Sequence, residues 1–253
     1  MKKLLFYCIL FLFVQVHSSS AQEVNEEYIK ANYDKTEEYI TMRDGTRLFT
    51  AIYTPKDQSQ KYPILLNRTP YTVAPYGKDK YKSSLGNFPQ MAKEKYIFVY
   101  QDVRGKWMSE GVFENIRPTR PKDNKAKIDE STDTYDTIDW LIKKVKNNNG
   151  KVGIYGISYP GFYSTVSLVD SHPALKAVSP QAPVTDWFIG DDFRHGGALY
   201  LMDAFRFMFT FDAPRPQPVT NANTPKGFSL ESKDYYKFFL QNPTIKGLFS
   251  TYV

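Results

Sequence analysis

A serine between glycines, in Gly156-Ile157-Ser158-Tyr159-Pro160-Gly161, is the stretch of this sequence best suited to covalent chemistry. A serine hydroxyl becomes a useful nucleophile when a sharp strand-to-helix turn projects it from a sheet edge, with small residues letting the backbones crowd together. The helix that follows directs its first N–H groups towards any oxyanion formed there. The usual spacing is Gly-x-Ser-x-Gly. Here Pro160 holds the second glycine position, which a first helical turn tolerates. A plain turn with the serine as helix cap is the alternative interpretation.

The segments around this serine favour a layered α/β arrangement. Residues 132–146 have apolar side chains at helical spacing, with acids in the first turn and lysines in the last, as the helix dipole prefers. We predict strands at 151–156 and 175–179 with a helix over 159–169 between them. Such alternation is typical of a doubly wound, mostly parallel sheet with helices on both faces.

Upstream, the pattern predicts a hairpin followed by two buried strands. Residues 39–53 read as strand, Asp44-Gly45 turn and strand. The continuous apolar runs 63–67 and 96–100 suit strands that are buried on both faces. Downstream, residues 186–253 are rich in Phe, Tyr, Pro and Asn without a clear sheet strand, and we interpret them as the start of a mostly helical cap.

The first residues have the layout of a secretory signal peptide, residues 1–21. Two lysines precede an apolar run, residues 4–16, which is shorter than the ~20 residues needed to span a bilayer, and small residues follow it. An uncleaved membrane anchor is the alternative. The only cysteine, Cys8, lies in the leader, so the mature chain would have no disulfide, cysteine nucleophile or Cys-ligated metal. We expect a secreted or periplasmic protein that does not contact the membrane after cleavage.

Composition indicates a globular protein and excludes several classes of function. The chain is 42% hydrophobic and 24% charged, with a net charge of +6, which suits a large buried core. Its Lys and Arg are scattered, so we expect no nucleic-acid partner. No metal-binding His-Glu-x-x-His and no phosphate-binding glycine loop occurs, so we predict neither metal nor cofactor. We interpret one run of acids as a solvated helix face, namely Asp129, Glu130, Asp133, Asp136 and Asp139.

The hexapeptide around Ser158 resembles the nucleophile elbow of the peptidase S15-like, or CocE/NonD, α/β-hydrolases. These include Xaa-Pro dipeptidyl-peptidases, cocaine esterase-like enzymes and α-amino-acid ester hydrolases, with glutaryl-cephalosporin acylases close by. The resemblance extends in the family's order over roughly residues 38–200, through Met42-Arg43-Asp44-Gly45-Thr46-Arg47-Leu48, Asn67-Arg68-Thr69-Pro70-Tyr71, Gln101-Asp102-Val103-Arg104-Gly105 with Ser109-Glu110-Gly111, and Asp136-Thr137-Ile138-Asp139-Trp140-Leu141. It implies a truncated α/β-hydrolase fold, with residues 22–185 as the amino-terminal part of the hydrolase domain and 186–253 as the beginning of a helical cap.

The resemblance also implies roles for individual residues. Ser158 would be the nucleophile, and the Tyr159 N–H and the Tyr71 hydroxyl would be the two oxyanion donors. Asp192 would help to bind the α-ammonium group of a substrate, by a charge-assisted hydrogen bond. An aromatic ring packed beside a turn is the alternative for Tyr71. A helix cap or a solvated loop acid is the alternative for Asp192.

A serine hydrolase also needs a histidine base and an orienting acid. The histidines are His17 in the leader, His172 near a helix end and His195 beside Asp192. We expect His172 on a surface loop, and His195 has no preceding strand to place it as the base. In the family the acid and base follow later strands, so the 253-residue chain is expected to lack both and, alone, to be inactive or not stably folded.

These features predict a serine hydrolase that cleaves an ester or amide acyl bond in a small-molecule or peptide substrate through an acyl-enzyme. Asp192 favours an α-amino-acid ester hydrolase or acylase over an Xaa-Pro dipeptidyl-peptidase. One alternative is a catalytically incomplete fragment or non-catalytic binding protein. Another is a surface-binding protein that uses the aromatic residues of 200–240. A homo-oligomer is compatible with the sequence.

Overall fold

The computed structural model describes residues 23–120, 128–186, 188–211, 215, 217–221 and 234–252. The predicted leader, with Cys8 and His17, lies outside these residues. Within the described ranges, no helix has both the length and the apolar character that a bilayer crossing requires.

The described residues form a six-stranded mixed sheet. Its strands are β1 (Tyr33–Thr41), β2 (Arg47–Pro55), β3 (Tyr62–Thr69), β4 (Ile97–Asp102), β5 (Asn148–Ile157) and β6 (Leu175–Gln181). Their spatial order is β1-β2-β4-β3-β5-β6. The β1–β2 and β2–β4 pairs are antiparallel, and the β4–β3, β3–β5 and β5–β6 pairs are parallel. The predicted mostly parallel α/β sheet is therefore confirmed.

The predicted hairpin is the β1–β2 pair. Gly45 adopts φ 87° at its turn, a conformation that glycine takes without steric cost. Asp44 Oδ1 accepts the Thr46 N–H at 3.1 Å, which is the local bond that makes aspartate a favoured turn residue. The register then pairs Ile40 with Leu48, both fully buried.

Helices cover both faces of the sheet. They are α1 (Glu26–Asn32), α2 (Pro89–Lys93), α3 (Glu130–Lys144) and α4 (Tyr159–Val166). In β4 every residue is buried. Its Val99 packs with Ile138 of α3, and the alternate residue Phe98 packs with Ile29 of α1 and Ala92 of α2. This two-sided burial explains the continuous apolar sequence of the strand.

The boundaries around the serine differ slightly from those predicted. β5 begins at Asn148, three residues before the predicted start of this strand, because Asn148 pairs with Tyr62 of β3. The helix after Ser158 ends at Val166, three residues before the predicted end.

The prediction of a solvated acidic face on α3 is wrong for its first three acids. Asp129, Glu130 and Asp133 are all at least 96% buried, with relative exposures of 1%, 4% and 1%. Glu130 lies 3.2 Å from the buried guanidinium of Arg68, and Asp133 lies 2.6 Å from that of Arg104. Cations on distant segments therefore neutralise this end of the helix and allow it to face the interior. The remaining two acids, Asp136 and Asp139, stay partly exposed.

The described residues after 188 form a small sheet and three helices. The short antiparallel strands, which the sequence did not predict, are β7 (Gly190–Asp191), β8 (Arg194–His195) and β9 (Ala198–Leu199). The helices are α5 (Leu201–Phe211), α6 (Tyr235–Gln241) and α7 (Ile245–Tyr252). Buried Phe205, Phe209, Phe239 and Leu248 join these helices, so part of this aromatic composition serves a core and not an exposed surface.

Candidate active site

Ser158 occupies a strained turn between β5 and α4. Its backbone has φ 62° and ψ −122°, and its side chain makes no hydrogen bond that caps the helix. The capping alternative is therefore not what the structure shows. A non-glycine residue in such a region carries ~1–3 kcal/mol of strain, and residues of this kind cluster at functional sites.

Two glycines and the neighbouring strand hold this turn in place. A Cβ at Gly156 would lie 2.2 Å from the carbonyl carbon of Pro160, and one at Gly161 would lie 2.5 Å from the carbonyl oxygen of Gln181. That same Gln181 oxygen accepts the Ser158 N–H at 2.9 Å. The close backbone approach expected from the sequence is present, with β6 bracing the turn from one side.

Tyr71 lies beside the serine, two residues after the end of β3. Burial raises the pKa of the Tyr71 phenol, a hydrogen bond with the Ser158 side chain lowers it, and the negative charge of Asp192 raises it. The Tyr71 ring stands edge-on to that of Tyr159, with 6.4 Å between centroids. A phenol donor is therefore next to the candidate nucleophile.

Tyr159, the first residue of α4, is fixed by its side chain. Its hydroxyl donates to Asn115 Oδ1 and accepts the Ile116 N–H, both at 2.7 Å. Its ring stacks on Tyr163 with 5.1 Å between centroids. The Tyr159 amide belongs to the first turn of α4, where the helix dipole favours negative charge. The Tyr71 phenol and this helix end thus form an environment suited to an oxyanion.

Asp192 is exposed in the turn between β7 and β8. Its backbone N–H donates to Asp191 Oδ1 at 2.5 Å. Because its charge acts on the pKa of Tyr71, the structure brings this carboxylate to the Tyr71 side of the site. It is a turn residue and does not cap a helix.

His172 is not the surface loop residue that the sequence suggested. It is 7% exposed, its Nδ1 accepts the Ala174 N–H at 3.0 Å, and its Nε2 lies 3.6 Å from Asp139 Oδ1. Ala174 in turn accepts the Val152 N–H, six positions before Ser158. At ~3.3 Å per strand residue this puts the His172–Asp139 pair roughly 20 Å from the serine, towards the amino-terminal end of β5.

His195 is exposed in β8, where its backbone pairs with Gly190 and Ala198. Its ring lies 5.5 Å from that of Tyr200. These contacts do not place its imidazole at the Ser158 hydroxyl. Among the residues that the structure describes, no group of three or more His, Cys, Asp or Glu side chains could hold a metal ion.

The sequence did not single out Phe211, which packs against both candidate oxyanion residues. Its ring lies 5.8 Å from Tyr71 and 5.4 Å from Tyr159. Phe113 and Phe207 complete the cluster at 5.4 Å and 4.8 Å from Phe211. Only the aromatic richness of this region was visible in the sequence, since Tyr71, Phe113 and Tyr159 each lie more than fifty residues from Phe211 in the chain.

A family model described as X-Pro dipeptidyl-peptidase (S15 family) matches residues 44–232, which include the whole site. This chain belongs to the peptidase S15 family. It is 30% identical over 160 residues to a cocaine esterase of Rhodococcus sp. (strain MB1 Bresler), covering 63% of this chain and 25% of the esterase. The family is one of serine hydrolases that include esterases and peptidases.

Solved structures give the same result for the fold. An aminopeptidase from the marine sediment archaeon Thaumarchaeota archaeon has a TM-score of 0.72 and 35% identity, over 87% of this chain and 36% of its own. An α-amino acid ester hydrolase has a TM-score of 0.70 and 34% identity, over 93% and 37%. The predicted α/β-hydrolase fold is confirmed. The chain spans about a quarter to somewhat over a third of the length of these relatives.

Proposed function

We propose that this chain carries the nucleophile and oxyanion part of a serine hydrolase that cleaves ester or amide acyl bonds through an acyl-enzyme. The observation that carries the proposal is the strained backbone of Ser158, at φ 62° and ψ −122°, with the Tyr71 phenol near enough to the Ser158 side chain for that side chain to lower the phenol pKa. A structural serine has no need of this conformation, whereas a projecting nucleophile does.

In the proposed reaction, Ser158 Oγ bonds to the acyl carbon and the carbonyl oxygen becomes an oxyanion. The Tyr71 hydroxyl and the Tyr159 N–H donate to that oxyanion, and each such donor lowers the barrier by ~3 kcal/mol. The bond to the alcohol or amine leaving group then breaks, leaving an acyl-serine that water hydrolyses. A base must accept the Ser158 proton. Neither His172 nor His195 is placed to do so, and we expect turnover by the chain alone to stay at background.

We propose acyl groups that carry an α-amino group as the preferred substrates, as in an α-amino-acid ester hydrolase or acylase. The proximity of the exposed Asp192 carboxylate to Tyr71 supports this, because a carboxylate near the acyl side attracts an ammonium group. The family model, described as an X-Pro dipeptidyl-peptidase, supports a second candidate. A protein that only binds is the remaining alternative.

The experiment traps the acyl-enzyme instead of measuring turnover, because deacylation needs the same base as acylation. The chain is incubated with p-nitrophenyl acetate, with and without imidazole as an external base, and peptide mass spectrometry then locates the acetyl groups. We expect acetylation of Ser158 that imidazole accelerates, and a loss of about 100-fold in its rate in Tyr71→Phe, as for removal of one oxyanion donor.

One control variant and one test of substrate preference accompany this experiment. Ser179→Ala changes an exposed serine on the neighbouring strand β6 and leaves acetylation of Ser158 unaltered. Asp192→Asn abolishes the preference for the p-nitrophenyl ester of alanine over that of propionate. The contrary outcome is a folded chain, as judged by circular dichroism, with acetyl groups scattered over its surface and no enrichment at Ser158. That outcome would support a protein that only binds.

A further inference from the structure

The loop that carries Tyr71 is anchored by hydrogen bonds to a buried acid, which has no part in the proposed reaction. Asp102, the last residue of β4, is 0% exposed. Its Oδ1 accepts the Val73 N–H at 3.0 Å, and its Oδ2 accepts the Tyr76 hydroxyl at 2.9 Å and the Met108 N–H at 3.3 Å. Two of these three donors lie within five residues of Tyr71.

The two residues that precede Tyr71 in the chain are also anchored, close to Asp102. The sheet register pairs Thr69 with Asp102, and Thr69 Oγ1 accepts the Tyr71 N–H at 3.0 Å. Trp107 Nε1 donates to the Pro70 carbonyl at 3.1 Å. Tyr71 is therefore an exposed residue between two anchored stretches, residues 69–70 and 73–76. The position of its ring depends on how these stretches are held.

We propose that Asp102 is a positioning residue that keeps the Tyr71 hydroxyl beside Ser158 by holding Val73 and Tyr76. It does not touch the reacting atoms and acts only through the loop. The catalytic meaning of this inference rests on the function proposed above, in which Tyr71 donates to the oxyanion.

The chemistry of the position favours a role in geometry over one in packing. Burial is the main influence on Asp102 and raises its pKa to about 7, so the acid is costly to keep at a site where an apolar residue would stabilise the interior. A carboxylate has acceptor sites for all three donors at once. Its removal would leave the Val73 N–H buried without this partner, and the loop would have to move to satisfy it.

The test follows the Tyr71 ring directly and so does not depend on turnover. The chain is labelled with ¹³C-tyrosine, and the Tyr71 aromatic signal is assigned by its loss in Tyr71→Phe. Ring currents from Phe211 and Tyr159 displace this signal in the native chain. We expect Asp102→Ala to move it most of the way to the position of tyrosine in an unfolded chain, and Asp102→Asn, which retains one of the two acceptor oxygens, to restore it in part.

Tyr76→Phe and Tyr81→Phe form a matched pair. Tyr76→Phe removes one donor to Asp102 without opening a cavity, and gives an intermediate displacement. Tyr81 belongs to the same loop region, but its hydroxyl accepts the Lys35 N–H. Tyr81→Phe should therefore leave the Tyr71 signal in place.

An unmoved Tyr71 signal in folded Asp102→Ala overturns the inference. If that variant does not fold, an unmoved signal in Tyr76→Phe overturns it instead. Failure of the proposed function looks different, because Tyr71→Phe would then leave acetylation of Ser158 unchanged while Asp102→Ala still displaced the Tyr71 ring.

Discussion

Replacement of Ser158 by glycine is expected to make the protein more stable than replacement by alanine. Both variants lose the hydroxyl and its influence on Tyr71, so their difference isolates the backbone. Alanine keeps the Cβ that strains φ 62° and ψ −122°, whereas glycine adopts positive φ freely.

The magnitude follows from two opposing contributions. Relief of the strained backbone stabilises the folded state by ~1–3 kcal/mol. The greater freedom of glycine in the unfolded chain costs ~0.4–1 kcal/mol. The net gain of Ser158→Gly over Ser158→Ala is then ~0–2.6 kcal/mol and about 1.3 kcal/mol at the middle of both ranges, or roughly 3–5 °C in melting temperature for a chain of this size.

Urea denaturation monitored by circular dichroism measures this difference, provided that both variants unfold with the same m-value. The same pair of substitutions at Ser179 is the control, because that residue lies in ordinary strand β6 and pairs with Tyr155. There glycine should be less stable than alanine by ~0.5–1 kcal/mol. A Ser158→Gly variant that is less stable than Ser158→Ala by the same margin as at Ser179 would refute the claim that strain is stored at the serine.

Four further outcomes are expected. Gly156→Ala places a Cβ against backbone atoms 2.2 Å away and costs more than about 3 kcal/mol in urea unfolding, while Gly190→Ala, with open space around it, stays within about 0.5 kcal/mol. Arg68→Met removes the cation 3.2 Å from buried Glu130 and leaves it only the more distant Arg117, 3.9 Å away, among the ion-pair partners in the described residues; it costs ~3–5 kcal/mol, most of which a second change, Glu130→Leu, recovers. Because the pKa of Asp102 is raised from 3.8 to about 7, the unfolded chain holds fewer protons between these values. Native stability therefore falls as pH rises through them, and Asp102→Asn makes that slope shallower in unfolding measured from pH 4 to 8. Part of the slope remains, because burial also raises the pKa of Glu130. N-terminal sequencing of the exported protein should find a mature start immediately after the predicted leader, and an intact leader would indicate the membrane anchor instead.

The local features of this fold were readable in the sequence because neighbouring residues determine them. The Asp44-Gly45 turn, the buried strand β4 and the strand-to-helix turn at Ser158 all depend on nearby spacing and on small residues. Their predicted types were right, although several ends moved by a few residues.

The failures concern partners that the chain brings from far away. Glu130 and Asp133 are buried because Arg68 and Arg104, on distant segments, neutralise them, and no helical periodicity contains that information. His172 is buried for a similar reason, since it packs against Tyr135 at 4.6 Å between ring centroids. At the site, the role of Tyr71 was predicted only from the resemblance to a family. Its place beside the serine depends on the order of strands in the sheet, which the neighbouring sequence does not reveal.

The bond from the Ser158 N–H to Gln181 has a consequence for synthesis on the ribosome. The turn is braced by β6, which follows it in the chain, so the bent backbone gains this hydrogen bond only once residue 181 is in place. A nascent chain that has exposed Ser158 but not yet residue 181 lacks this brace. Since chains fold progressively from the amino terminus during translation, we expect the bent conformation of Ser158 to be secured only after residue 181 has been synthesised and β6 has joined β5.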